Sequence, residues 1–360
     1  MPYSVKSTLN PLVRTIMLKP LHIKSNWQTE LSQCITTVDD LLAELELDST
    51  QLSTCQQAAA QFALKVPRPF VQRMKKGDPN DPLLAQVLPI KAEMQLDPDY
   101  SEDPLNESNH NPVAGIVHKY RNRLLLIVSP ACAINCRYCF RRHFPYQENR
   151  QSKEKWQQAL DYISSHKDIN EVIFSGGDPL AANDHFLSWL AEQIAAIPHI
   201  KRLRIHSRLP VVIPSRINQS FLRWATSSRL TPIIVLHINH SNELDDEVAD
   251  AIKRLLDAGI KVFNQTVLLK GINDSSIALN ALSERLFDCG VSPYYLHLLD
   301  PVQGASHFDI DPEQAGKIYR ELQSMLPGFL LPKLVREIPG EVSKTIVASE
   351  TGTSDFTIRE

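Results

Sequence analysis

The stretch Leu124-Leu125-Leu126-Ile127-Val128-Ser129-Pro130-Ala131-Cys132-Ala133-Ile134-Asn135-Cys136-Arg137-Tyr138-Cys139 sets an apolar run directly before three bunched cysteines. A short apolar run bounded by turn residues reads as a buried strand. Runs of the same kind recur at 171–175, 202–206, 232–238, 261–267 and 292–298. Amphipathic segments lie between them, at 153–165, 185–196, 245–258 and 275–289. After the first, the runs start about every 30 residues, the length of one βα unit. Apolar strands alternating with helices predict an α/β fold with a parallel sheet and right-handed crossovers. Six units are too few for a full eight-fold barrel and enough for a partial one. A doubly wound sheet is the alternative that the period leaves open.

The placement of unusual side chains favours the barrel. The cysteines follow the first run, Ser175-Gly176-Gly177-Asp178 the second and His206-Ser207-Arg208 the third. His237-Ile238-Asn239-His240 comes next, Asn264-Gln265 lie within the fifth run, and His297 and Asp300 fall at the sixth. Polar groups gathered at the C-terminal ends of parallel strands mark the active face of such a barrel.

Ahead of the barrel, Val38, Leu41, Leu42 and Leu45 recur at helical spacing over 38–47, with Thr37 as N-cap. Residues 50–64 read as a second helix, broken by Pro67 and Pro69. Residues 97–112 have the Asp, Pro, Asn and Ser content of a linker. The chain thus divides into an extended segment (1–36), a helical region and linker (37–112), the barrel (113–327) and a C-terminal segment (328–360). The first 29 residues hold no acid and include Lys6, Arg14, Lys19 and Lys24, superficially like a transit peptide. The apolar stretch 16–18 is too short for a signal core, so a loosely ordered extension is expected.

The 360 residues carry 38 Lys+Arg against 41 Asp+Glu, a net charge of −3, with both signs spread along the chain. That excludes a basic stripe for nucleic acid. No apolar run approaches the roughly 18 residues of a membrane span. Of six cysteines, Cys34, Cys55 and Cys289 are scattered and three are bunched. Such clustering without a secretory signal points to a reducing cytoplasmic setting and to metal or redox work.

Three thiolates on one tight loop can hold three irons of a four-iron cluster and leave the fourth open to an exogenous ligand. Tyr138 and Phe140 would shield such a cluster from water. A tetrahedral zinc site needs a fourth ligand, which His143 could supply; three buried cysteines without metal are the blander alternative. Gly176-Gly177 is the one Gly-Gly pair among 12 glycines. It reads as backbone that lets a ligand approach closely, or as an ordinary strand-to-helix turn.

The cysteine motif resembles the C-x3-C-x-aromatic-C signature of radical S-adenosylmethionine enzymes. That resemblance implies a [4Fe-4S] cluster on Cys132, Cys136 and Cys139 whose open iron chelates the methionine part of S-adenosyl-L-methionine. It implies that Ser175, Gly176, Gly177 and Asp178 receive the methionine ammonium and that His237 and Gln265 contact the adenosyl part. A hydrogen-bonded core histidine is nearly as good a reading of His237.

Further motifs narrow the resemblance. Asp78-Pro79-Asn80-Asp81-Pro82-Leu83, Val113-Ala114-Gly115-Ile116-Val117-His118-Lys119-Tyr120, Cys139-Phe140-Arg141-Arg142-His143-Phe144 and 175–180 together are similar to lysine 2,3-aminomutase. The similarity spans about 66 to 344, and the compact form is most similar to the aminomutases that make β-lysine for elongation factor P. The family implies a partial (β/α)6 radical-SAM barrel that converts L-α-lysine to β-lysine. It implies pyridoxal 5'-phosphate carried on Lys344, Arg141 on the substrate carboxylate, and Asp300 and Glu337 on the distal ammonium. It also implies an electron donor for the cluster and passage of product to an elongation factor P ligase. On composition alone Lys344 would be a solvated surface lysine, Arg141 a surface arginine, Asp300 a turn starter and Glu337 a strand cap.

The chain departs from the family in two places: a single glycine, Gly340, precedes Lys344, and Glu337 stands where an aspartate is usual. It runs 16 residues past Lys344, which leads to the expectation of a small homo-oligomer. Two other readings remain open at this point. One is the same chemistry on lysine or another amino acid in free metabolism, where two carboxylates argue against glutamate. The other is a zinc-stabilised barrel that binds a partner without catalysis.

Overall fold

The computed structural model describes residues 26–146 and 153–347; Lys6, Arg14, Lys19 and Lys24 and the end of the C-terminal segment lie outside them. One sheet contains nine strands in strict sequence order. They are β1 (Ile116–Tyr120), β2 (Arg123–Ser129), β3 (Glu171–Gly176), β4 (Arg202–Ser207), β5 (Thr231–His237), β6 (Lys261–Val267), β7 (Ser292–His297), β8 (Lys333–Arg336) and β9 (Thr345–Ile346). Strands β2 to β8 run parallel, and β1 and β9 pair antiparallel at the two edges. A doubly wound sheet reverses its strand order at a switch point. This one never does, so the partial barrel holds.

Helices Lys153–Ser165, Asp184–Ala195, Gln219–Thr226, Asp246–Asp257, Ser276–Asp288 and Pro312–Met325 link successive parallel strands. All six expected βα units are present, and the sixth leads into a further parallel strand, β8. Five of these helices begin on a side chain that accepts a free first-turn N–H: Asn183, Asn218, Asp245, Ser275 and Asp311. Strand alternation then sorts the sheet's faces. Val172, Phe174, Leu203, Ile205, Ile234, Leu236 and Val262 join the core under the helices. Their neighbours Ile173, Ser175, Arg204, His206, His237, Gln265, Tyr295 and His297 line an interior cavity.

The region ahead of the barrel departs from the sequence reading in three places. Within the segment read as extended, Trp27–Ser32 is helical and Trp27 is buried. Thr37 caps Val38–Glu44 as expected, but residues 50–64 do not form one helix. Only Gln56–Gln61 is α-helical, because the backbone before it is bound to another segment. Thr54 bridges Ile90, Cys55 N–H donates to the Pro89 carbonyl at 3.1 Å, and Lys91 N–H to that of Ser53 at 2.9 Å. Nor is 97–112 a free linker: Leu105 and Glu107 are buried and Ser101 bridges Val302.

Candidate active site

The cavity at the C-terminal ends of the strands measures about 260 Å³ and is lined by Cys132, Cys136, Cys139, Arg141, Ser175, Gly176, Gly177, Asp178, His237, Gln265, Asp300, Glu337 and Lys344. Every residue expected at the site reaches it. Two ends can be distinguished, one built on the cysteine loop and one on the chain around β8 and β9.

The cysteine loop leaves β2 at Ser129 and turns on a bond from Cys139 N–H to the Cys136 carbonyl, 3.0 Å. Its three thiols are free. Burial pushes the Cys139 thiol up to about 11, with the neighbouring Cys136 adding to it. Burial likewise raises Cys132, and Cys139 and Cys136 add to that rise. Crowded thiols of this kind ionise readily only around cations, which suits a polynuclear iron site. Among the described residues no three His, Cys, Asp or Glu side chains converge on a point where one ion could be held. In a four-iron cluster each cysteine takes a different iron, so its sulfurs need not converge. His143, the fourth ligand of the zinc alternative, is exposed and lies 3.3 Å from the Gln303 carbonyl.

The Gly-Gly pair admits the chain's own backbone. Gly176 has φ +124°, and a Cβ there would stand 2.4 Å from the Ser129 carbonyl oxygen. A Cβ on Gly177 would stand 2.8 Å from that of Ala131. The close approach allows Gly177 N–H and Asp178 N–H to donate to Ser129 and Ala131, each at 2.8 Å, fastening the start of the cysteine loop to β3. Asp178 accepts from Ser207 Oγ and from the N–H groups of Leu180, Arg208 and Leu209. Burial raises its carboxyl, and those four bonds oppose the rise. Gly176→Ala is expected to destabilise the apo-protein by about 2 kcal/mol or more, from positive φ and the clash together. Denaturant melts check this; an unchanged midpoint would contradict it.

Arg141 is buried two residues beyond Cys139. Its Nε and Nη2 donate to the two carboxylate oxygens of Glu107, both at 2.7 Å, and its Nη1 reaches Ser175 Oγ at 3.0 Å. Glu107 comes from the stretch read as a linker, and no motif singled it out. Arg208, also buried, donates from Nη1 to Cys136 Sγ at 2.7 Å and from Nη2 to Glu243 at 3.0 Å. Sequence position at a strand end flagged it, and the cysteine contact appears only in three dimensions.

At the other end Lys344 Nζ donates to Glu337 Oε2, and Lys119 Nζ reaches Glu337 Oε1 at 3.0 Å. With a side chain 21% exposed, Lys344 is not a solvated surface lysine. Burial would raise the Glu337 carboxyl, but Lys344 and Lys119 outweigh it and hold the group well below the usual range. Asp300 is pushed up to about 7 by burial, with the charge of Glu337 adding to the rise. Between the two ends, His237 Nε2 and Gln265 Nε2 lie 2.9 Å apart. Burial, with Arg208 and Arg141 nearby, lowers His237 to about 3, so its ring stays neutral. Among the described residues the buried Nε2 atoms of His206 and His297 find no hydrogen-bond partner, which leaves polar groups for a bound molecule to satisfy.

A sequential parallel barrel with three cysteines after its first parallel strand defines a radical S-adenosylmethionine architecture, and the profile of the Radical SAM superfamily matches residues 126–219. The L-lysine 2,3-aminomutase of Escherichia coli (strain K12) is 51% identical over 323 residues, covering 89% of this chain and 94% of that protein. The protein of the same name in Haemophilus influenzae is 51% identical over 325 residues, covering 90% and 96%. The chain belongs to the lysine 2,3-aminomutase family, which makes it an isomerase of the radical S-adenosylmethionine class, with the iron–sulfur cluster that this class carries. Among solved structures, native anSMEcpe with bound AdoMet and the Kp18Cys peptide aligns at 13% identity with a TM-score of 0.42, covering 57% of this chain and 59% of that one.

Proposed function

We propose that this chain converts L-α-lysine to β-lysine in the cytoplasm, with the product passed to a ligase that modifies elongation factor P. In this reading Cys132, Cys136 and Cys139 hold a [4Fe-4S] cluster, and an external donor reduces it. The loop of Ser175, Gly176 and Gly177, pinned by Asp178, with His237 and Gln265 holds S-adenosylmethionine, and Lys344 carries pyridoxal phosphate. Moving an amino group between adjacent carbons requires breaking an unactivated C–H bond, beyond any side-chain base. When bound, the cluster and S-adenosylmethionine supply one-electron chemistry strong enough for that, and pyridoxal phosphate supplies a conjugated system through which nitrogen can move.

One observation carries the reading: a single cavity has Arg141 beside the cysteine loop at one end and Lys344, Glu337 and Asp300 at the other. Glu107 occupies the Nε–Nη2 edge of Arg141 and fixes the guanidinium, while Nη1 donates to Ser175 Oγ and the Gly176 carbonyl, so a substrate carboxylate would take the Nη1 side by replacing one of these weaker neutral acceptors. Asp300 and Glu337 take the distal ammonium. A glutamate substrate would bring a third carboxylate among them, a like-charge penalty that selects lysine. Lys119 stays on Glu337 when Lys344 is taken up by the cofactor, so Asp300 becomes the main anion for the substrate.

An anaerobic assay with lysine, S-adenosylmethionine and pyridoxal phosphate, with products resolved by chirality, tests the activity. Absence of β-lysine rejects it. Mass analysis of elongation factor P from a strain lacking this chain tests the destination of the product: the β-lysyl increment should be missing.

Because a carboxyl near 7 must ionise before it can pair with an ammonium, kcat/KM for lysine should rise about tenfold per pH unit below 7 and level off above it. Asp300→Asn should remove that limb and raise KM by about 30-fold or more, the cost of leaving a buried charge without its partner. Cluster absorbance should not change. A pH profile in the variant identical to the parent's would take Asp300 out of the site.

A further inference from the structure

Arg137 stands between Cys136 and Cys139 and, with Arg216, is one of the two largest completely buried side chains among the described residues. It does not face the cavity. Its Nε reaches both oxygens of Glu93, at 2.9 and 3.1 Å, and Nη2 donates to Glu93 and to the Ala58 carbonyl. Its Nη1 donates to the Phe62 carbonyl. The same Glu93 takes Arg142 Nη2 at 2.8 Å, and both guanidinium groups lie about 5 Å from the Phe62 ring. One buried carboxylate therefore holds two arginines that flank Cys139.

The loop's other residues are fastened to the same region. Lys65 Nζ donates to the Cys132 carbonyl at 2.8 Å, and Cys34 Sγ lies 3.6 Å from that of Ala133. Asn135 bonds Lys65 through its N–H and Ala63 through its side chain, and Arg137 N–H donates to the Gln86 carbonyl at 2.9 Å. Among the described residues the barrel holds the loop's backbone at Ser129 and Ala131, through Gly177 and Asp178, and its side chains at Cys136 and Tyr138, through Arg208 and Asn239. Between those points the backbone from Cys132 to Arg137 leans on residues that precede the barrel.

We infer that the helical region ahead of the barrel is the outer jaw of the cluster site, and that Glu93 is the positioning residue that locks the cysteine loop into it. This rests on the cluster assigned above to the three cysteines. A loop shaped before metal arrives presents its thiolates without an ordering cost, and a loop held from outside releases iron slowly. Glu93 suits the task because a buried carboxylate between two arginines cannot leave without stranding charge.

The test uses full-length protein reconstituted with iron and sulfide under argon. It reads the rate at which a ferrous chelator strips iron without turnover, the EPR spectrum of the reduced cluster, and the apo-protein melting curve. Glu93→Gln and Lys65→Met are each expected to lose iron at least fivefold faster than the parent and to broaden the EPR signal. Glu93→Asp should regain most of the retention. Lys65 is only half-buried, so Lys65→Met should melt within a few degrees of the parent and separates cluster retention from general stability. If Glu93→Gln does not fold, Lys65→Met decides alone. Stripping within twofold of the parent in every folded variant overturns the jaw. A parent that takes up no iron or sulfide instead refutes the cluster assignment.

Discussion

Lys344→Ala should abolish the visible absorbance of bound pyridoxal phosphate and lower turnover by at least about 10³-fold, the scale expected when a covalent anchor is removed. The geometry gives Lys344 a second task that has to be separated from the first. Its ammonium pairs with Glu337, so alanine also strips a positive charge from a mostly buried carboxylate. Lys344→Arg keeps the charge and cannot carry the cofactor. Loss of the band in both variants assigns the carrier role. A band that persists in the arginine variant would mean that Lys344 serves only as a charge partner. Lys119 remains on Glu337 in either case, so both variants should fold.

Cys136→Ala should yield colourless protein after anaerobic reconstitution, with less than about a thousandth of parental activity, since the three-cysteine set holds the metal as a unit. The substitution also removes the sulfur that Arg208 touches. That guanidinium keeps Glu243 and the Gln86 side chain, so the apo-fold should survive with little change in melting temperature. Iron and sulfide analysis against far-ultraviolet circular dichroism separates the two effects. A brown variant with near-parental iron would exclude Cys136 as a ligand. Zinc without sulfide in the parent would revive the tetrahedral site, although His143 faces elsewhere.

The barrel was largely legible because its strands are apolar runs at a fixed period with polar residues at their ends. β6 falls where the pattern puts it, and the other runs differ from their strands by one residue at one or both ends. β8 escaped because Lys333-Leu334-Val335-Arg336 has only two apolar residues, buried by neighbours rather than by its own pattern. The helix expected at 50–64 failed for a related reason: its backbone hydrogen bonds go to Ser53–Lys91 and Cys55–Pro89 pairs, which no local period encodes.

At the site, the resemblance brought together residues from 132 to 344 that one cavity joins. It could not reveal Glu107, hidden in a stretch of linker composition, or that Lys119 shares Glu337. The Gly-Gly pair signals close approach in the sequence itself. The partner that comes close is the cysteine loop's own backbone.

The nine-stranded sheet never rejoins itself. Lys119 on β1, the first strand, meets Glu337 on the link between β8 and β9, 3.0 Å away. A closed cylinder would resist widening with a whole ladder of backbone bonds, whereas these edges are tied by side chains, Lys119 and Tyr120 on Glu337. Widening the enclosure, about 260 Å³ within, would therefore not require any strand to unravel.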